Sequence, residues 1–141
     1  MKLSIKYAFI VICLIIGLIF ILISFQANDS PKIPEVEKKP EYRKISAAEA
    51  KEMMNGEYIL LDVRTEEEFK EERIEGAILI PDYEIGERVE TELPDKDALI
   101  LVYCRSGRRS ALAANELAEI GYTNVYDFGG IIDWPYDTVS G

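Results

Sequence analysis

Ala98-Leu99-Ile100-Leu101-Val102-Tyr103-Cys104-Arg105-Ser106-Gly107-Arg108-Arg109-Ser110 passes from an unbroken apolar run, through a cationic loop containing a glycine, into a helical pattern. The apolar run is too short for most helices, and its lack of polar alternation suits a parallel strand covered on both faces. Beyond it, Ala113, Leu117 and Ile120 stripe one face of a helix expected over 110–120, and Gly121 is placed to end it. A strand feeding directly into a helix is half of a βαβ unit, so the stretch points to an α/β sheet.

The pattern repeats outward from there. Tyr58-Ile59-Leu60-Leu61-Asp62-Val63 is a second apolar run, 77–80 before Pro81 a third, and 124–127 the last strand candidate. Ser46-Ala47-Ala48-Glu49 is a capping box with Ile45 and Ala50 placed for a hydrophobic staple, so a short helix is expected from Ala47 to near Gly56, with a short strand over 43–45 before it. Thr65-Glu66-Glu67-Glu68 opens another capped helix, and Ile85, Val89 and Leu93 stripe a further one. The expected architecture is α/β, with a mostly parallel central sheet and helices on both faces.

At the amino end, residues 7–25 read YAFIVICLIIGLIFILISF without a charge, long enough to cross a hydrocarbon core as a helix. A cleaved signal peptide is the alternative, which would make the domain secreted; against it, Phe25 stands where cleavage after Ala27 needs a small residue. Cys13 is read as lipid-facing packing, because Ile12 precedes it where a lipoprotein signal needs a small residue. Lys2 and Lys6 favour a cytoplasmic amino terminus and an extracytoplasmic domain, although Lys32, Lys38, Lys39, Arg43 and Lys44 oppose them. Pro31, Pro34 and Pro40 among charges make residues 28–41 an extended tether. The organisation expected is an anchor over 1–27, a linker over 28–41 and one domain over 42–141.

With 141 residues there is room for one domain plus an extension. Acidic residues number 26 against 16 basic, a net charge of -10, which disfavours nucleic acid as a partner. Histidine is absent, which removes imidazole as general base, activator of a nucleophile or metal ligand. The two cysteines, Cys13 and Cys104, can build neither a disulfide framework nor a thiolate zinc site, so Cys104 is read as a free thiol and no metal is expected.

Cys104 stands at the carboxyl end of the most apolar strand, where open α/β sheets gather their ligand sites. A thiolate is the reactive form of cysteine, and three features would favour it without histidine: the charges of Arg105, Arg108 and Arg109, the amino end of the following helix, and Gly107, which lets backbone N–H groups curl inward. Asp62 is read as a strand-end residue pairing with Arg64 or Arg109 to hold the loop. Gly129 and Gly130 are read as turn residues and Trp134 as a core seal, outside the site.

Cys104-Arg105-Ser106-Gly107-Arg108-Arg109, with its C-x4-R spacing, resembles the active-site loop of rhodanese domains. Leu61-Asp62-Val63-Arg64 with Glu68-Phe69, Gly76-Ala77 with Ile80-Pro81, and Gly129-Gly130 with Trp134 are similar to other marks of that family, over residues 42–136. Where the family usually has Gly-His-Ile-x-Gly-Ala, this chain has Glu72-Arg73-Ile74-Glu75-Gly76-Ala77, with Arg73 at the histidine position. The resemblance implies a rhodanese-like sulfurtransferase. Cys104 would take the outer sulfur of a donor such as thiosulfate and pass it, as a persulfide, to cyanide or a thiol, with no metal or organic cofactor. Arg105, Ser106, Gly107, Arg108 and Arg109 would bind the anionic donor, supported by Asp62 and Arg64. Two rivals stand beside this reading. One is a membrane-tethered module that carries a persulfide or senses a partner with little turnover. The other is a phosphatase or arsenate reductase, which needs an arginine where this chain has Ser110. No protein partner is named by the sequence.

Overall fold

The structure, a computed structural model, describes residues 41–141 together with Ile10, Cys13, Ile15, Ile16, Leu18 and Ile19, which are helical and exposed. The chain divides into the units Met1–Glu37 and Lys38–Gly141, and the second carries the sheet. Apart from those six residues the expected membrane span over 7–25, and all of the tether but Glu41, lie outside the described residues. Among the described residues, no helix is long and apolar enough to cross a membrane.

In chain order the elements are β1 (Arg43–Lys44), α1 (Ala47–Met53), β2 (Ile59–Asp62), α2 (Glu66–Glu71) and β3 (Ile78–Leu79). A 3-10 turn (Asp82–Glu84), α3 (Ile85–Glu92), β4 (Ile100–Cys104), α4 (Arg108–Glu119), β5 (Val125–Gly130) and a second 3-10 turn (Ile131–Asp133) follow. The strands form one sheet in the order β1-β5-β4-β2-β3, and every neighbouring pair is parallel.

Strand side chains alternate between faces, which splits the core in two. Leu61, Ile100, Val102 and Cys104 pack with Ile85 and Val89 of α3 and with Ala113, Ala114 and Leu117 of α4. Leu60, Leu101 and Tyr103 pack on the other face with Ala50 of α1 and with Ile131, Phe128 and Trp134. Both faces are therefore covered, which is why β4 carries five buried residues in succession rather than an alternating pattern.

Both expected capping boxes form. The Glu49 N–H donates to Ser46 Oγ and the Ser46 N–H to Glu49 Oε2 (2.8 Å); Thr65 and Glu68 make the same exchange at the head of α2. The boundary of α4 differs from expectation. It begins at Arg108, two residues before Ser110, because Gly107 at φ 93 turns the chain in the left-handed region and frees the arginines to enter the first helical turn. Strand β5 also runs three residues past its expected end at 127. Val102 pairs with Asp127 and Cys104 with Gly130, so β5 spends one extra residue in a bulge that sets Gly130 beside Cys104.

Candidate active site

Cys104 is the last residue of β4 and only 1% of it is exposed. The chain leaves the strand, rises through Arg105 and Ser106, and returns at Gly107, whose N–H donates to Cys104 Sγ at 3.1 Å. Ser110, fully buried in the first turn of α4, sets its Oγ 3.6 Å from Sγ and reaches the carbonyls of Gly107 and Gly129, each at 3.2 Å. Burial pushes the thiol up. The Ser110 backbone and hydroxyl and the N–H groups of Gly107 and Ser106 outweigh burial and hold the thiol below its ordinary value. The sulfur is thus a recessed anion site built from local donors.

That finding corrects the expected balance of causes: the donors on the sulfur come from the loop backbone and Ser110. Arg105, Ser106 and Arg108 are exposed, and neither of those two arginines makes an ion pair among the described residues. Both remain available to an anion arriving from solvent. Ser110 was missed as a site residue, and its signal was its place one helical turn after Gly107, where a hydroxyl turns back toward the sulfur.

Arg109 is committed elsewhere. Its two terminal nitrogens grip the carboxylate of Glu68 at 2.8 Å each, and this guanidinium holds Glu68 down to about 2 against the opposing effect of burial. Glu68 in turn raises Arg109. The pair ties the first turn of α4 to the first turn of α2.

Asp62 pairs with Arg64 and not with Arg109. Arg64 Nη2 meets Asp62 Oδ2 at 2.6 Å, and the Arg64 backbone N–H and Nε both donate to Oδ1 at 2.9 Å. Arg64 Nη2 also donates to the Glu72 carbonyl at 2.6 Å, and its guanidinium lies over the Tyr103 ring. Both partners are buried, so this pair braces the β2–α2 turn from inside; the expected hold on the Cys104 loop falls to Glu68. Tyr103 accepts the Ile74 N–H, and burial together with Asp62 pushes its phenol well above the ordinary value. Arg73, at the unusual position, donates to the Phe69 and Gly141 carbonyls and lies over the Phe69 ring.

Gly129 and Gly130, set aside from the sequence alone, form the floor under the loop. A Cβ on Gly130 would stand 2.3 Å from the Arg105 carbonyl oxygen and 2.7 Å from Ser106 Cα, and one on Gly107 would stand 3.3 Å from Gly129 Cα. Close backbone approach is what these positions require. Trp134 is buried against Phe128, in keeping with a core seal. Among the described residues no group of three or more His, Cys, Asp or Glu is arranged to hold a metal ion.

A family model described as rhodanese-like domain matches residues 46–135. The chain is 43% identical over 81 residues to thiosulfate sulfurtransferase PspE of Escherichia coli (strain K12), covering 57% of this chain and 78% of that protein. It is 38% identical over 100 residues to putative sulfurtransferase YtwF of Bacillus subtilis (strain 168), covering 70% and 95%. A solved rhodanese with anions from E. coli is similar with a TM-score of 0.56 and 42% identity, over 60% of this chain and 99% of that one.

Proposed function

The chain belongs to the rhodanese-like family and is a rhodanese-type sulfurtransferase, and on that premise we propose that it moves a sulfane sulfur from a donor such as thiosulfate, through a persulfide on Cys104, to cyanide or a thiol. The Cys104 thiolate attacks the outer sulfur of the donor. A bond from Sγ to that sulfur forms, the donor's S–S bond breaks, and sulfite leaves with the electron pair. The acceptor then attacks the same sulfur, and Cys104 departs as the thiolate. Arg105 and Arg108 neutralise the donor anion at the rim, the loop N–H groups stabilise the charged sulfur, and Arg109 braces the loop through Glu68.

The observation that carries this reading is the 3.1 Å contact from the Gly107 N–H to a recessed Sγ, with Ser110 Oγ accepting from the thiol at 3.6 Å. The test is thiocyanate formation from thiosulfate and cyanide by the full chain, beside Cys104→Ser and beside phosphate release from an aryl phosphate. Thiocyanate from the wild type alone supports sulfur transfer. If neither substrate reacts while mass spectrometry finds a free Cys104 thiol, the protein is a persulfide carrier or sensor instead. A phosphatase is disfavoured by the buried Ser110 at the position where that chemistry needs an arginine.

We further propose that residues 7–25 anchor the protein as a single membrane span with the domain outside the cytoplasm. Support comes from the uncharged run and the nearby Lys2 and Lys6. Retention in alkali-washed membranes, with the domain cleaved by protease added to intact spheroplasts, is the expected result. Recovery of a shortened, soluble form would favour a cleaved signal.

A further inference from the structure

Resting on the sulfur-transfer reading, we propose that the rim around Cys104 is a docking surface for a polypeptide acceptor whose reactive cysteine is flanked by apolar and acidic side chains. In the unit Lys38–Gly141, the large apolar side chains more than half exposed are Tyr83 at 69%, Leu112 at 60% and Ile132 at 64%. Single exposed apolar residues are ordinary; what matters here is where these stand. Tyr83 lies in the turn after β3, Leu112 in the helix after β4, and Ile132 in the turn after β5. With the order β5-β4-β2-β3, Ile132 leaves one strand to one side of Cys104 and Tyr83 two strands to the other, lateral offsets of about 5 and about 10 Å. Ile132 and Tyr83 therefore stand on opposite sides of the reactive sulfur.

Two arginines that make no ion pair among the described residues, Arg105 and Arg108, accompany them. Arg108 and Leu112 are four residues apart on α4 and share its exposed face. The Arg105 carbonyl accepts the Ile132 N–H at 3.3 Å, which ties the other couple together. Arginine and tyrosine are among the side chains that interaction hot spots favour, and Arg105, Arg108 and Tyr83 all lie on segments that follow strands of the sheet. Because Cys104 is 1% exposed, a sulfur carried on a large body reaches it only if that body fits the rim. Asp82 and Asp133 neighbour Tyr83 and Ile132, Glu68, Glu71 and Glu72 line the hollow that Arg105 and Ile132 share, and Glu66 and Glu84 line the one beside Tyr83, so any pull on an acidic partner comes from the two arginines alone and not from a broad field.

In the transfer step the outer sulfur of the Cys104 persulfide, left anionic by donor cleavage, takes a proton from solvent, and the partner's thiolate attacks that sulfur. The new S–S bond forms as the bond to Sγ breaks, and the electron pair returns to Sγ as the thiolate that Gly107 holds. The sulfur moves without net oxidation, and the partner's thiol proton has already gone to solvent.

For the test, the full chain is loaded with thiosulfate and freed of donor. Its persulfide is then discharged by a blocked peptide Asp-Leu-Cys-Phe-Asp, by the same peptide with Lys for Asp, and by 2-mercaptoethanol, at equal thiolate. The acidic peptide is expected to react about tenfold faster than the other two, and about 0.5 M salt to erase its lead over the lysine peptide. Tyr83→Ser, Leu112→Ser and Ile132→Ser should each raise KM for that peptide several-fold and leave cyanide turnover unchanged. Equal rates for the three acceptors, or an unmoved KM in all three variants, overturn the docking surface while sulfur transfer stands. If no persulfide forms, the sulfur-transfer reading falls and this one with it.

Discussion

Burial and hydrogen bonding pull the Cys104 thiol in opposite directions, and the donors from Ser106, Gly107 and Ser110 prevail. The Ser110 hydroxyl is one of the groups holding the thiol down, so Ser110→Ala should raise the thiol pKa and shift the pH dependence of iodoacetamide alkylation to higher pH. An unchanged profile would mean that the backbone donors alone hold the thiolate. Because the folded thiol lies below its ordinary value, the acid limb of wild-type persulfide formation should lie at lower pH than for a free thiol, with histidine contributing no limb of its own. Gly130 is a matter of space. With a Cβ 2.3 Å from the Arg105 carbonyl oxygen, Gly130→Ala must move the loop and should cost on the order of 100-fold in kcat. A variant that folds normally and keeps wild-type kcat would show that the loop tolerates the shift.

Two helices meet the active loop through one carboxylate. Glu68 closes the capping box of α2 and grips Arg109 in the first turn of α4. Its pKa, near 4.3 when unfolded, is depressed to about 2 in the fold, so its stabilising contribution is present above the unfolded value and is lost as pH falls from about 4.5 through about 2. Partial exposure screens the pair, leaving about 1–2 kcal/mol. Glu68→Gln should lose that amount in urea unfolding at pH 7 and only a small part of it at pH 2, while kcat falls because the helix amino end loosens around Cys104. Equal destabilisation at both pH values would assign the effect to the cap. The Asp62–Arg64 pair behaves differently, since both partners are buried. Asp62→Ala strands the guanidinium and should cost about 3–5 kcal/mol in urea unfolding. A loss under about 1 kcal/mol would mean that Arg64 finds other partners.

Across the domain, the two-faced burial of β4 couples stability to the site: Ile100, Val102 and Cys104 serve one core, Leu101 and Tyr103 the other. Leu101→Ala, on the face away from Sγ, should cost about 2–5 kcal/mol in urea unfolding and still form persulfide at native rates where folded. Loss of rate without loss of stability would contradict that separation. The alternation of strands and helices, both capping boxes and the position of Cys104 at a strand end were legible in the sequence. Each depends on periodicity or spacing within a few residues, where backbone geometry leaves few options. Tertiary structure alone decided that Asp62 would take Arg64 and leave Arg109 to Glu68, 41 positions away. It alone decided that a bulge in β5 would slide Gly130 under the loop. Several carboxylates could serve a given guanidinium on charge alone, and a glycine suits a turn as well as a close approach. The choice between them is made when the parallel sheet brings distant segments into register, because burial leaves no room for the alternatives.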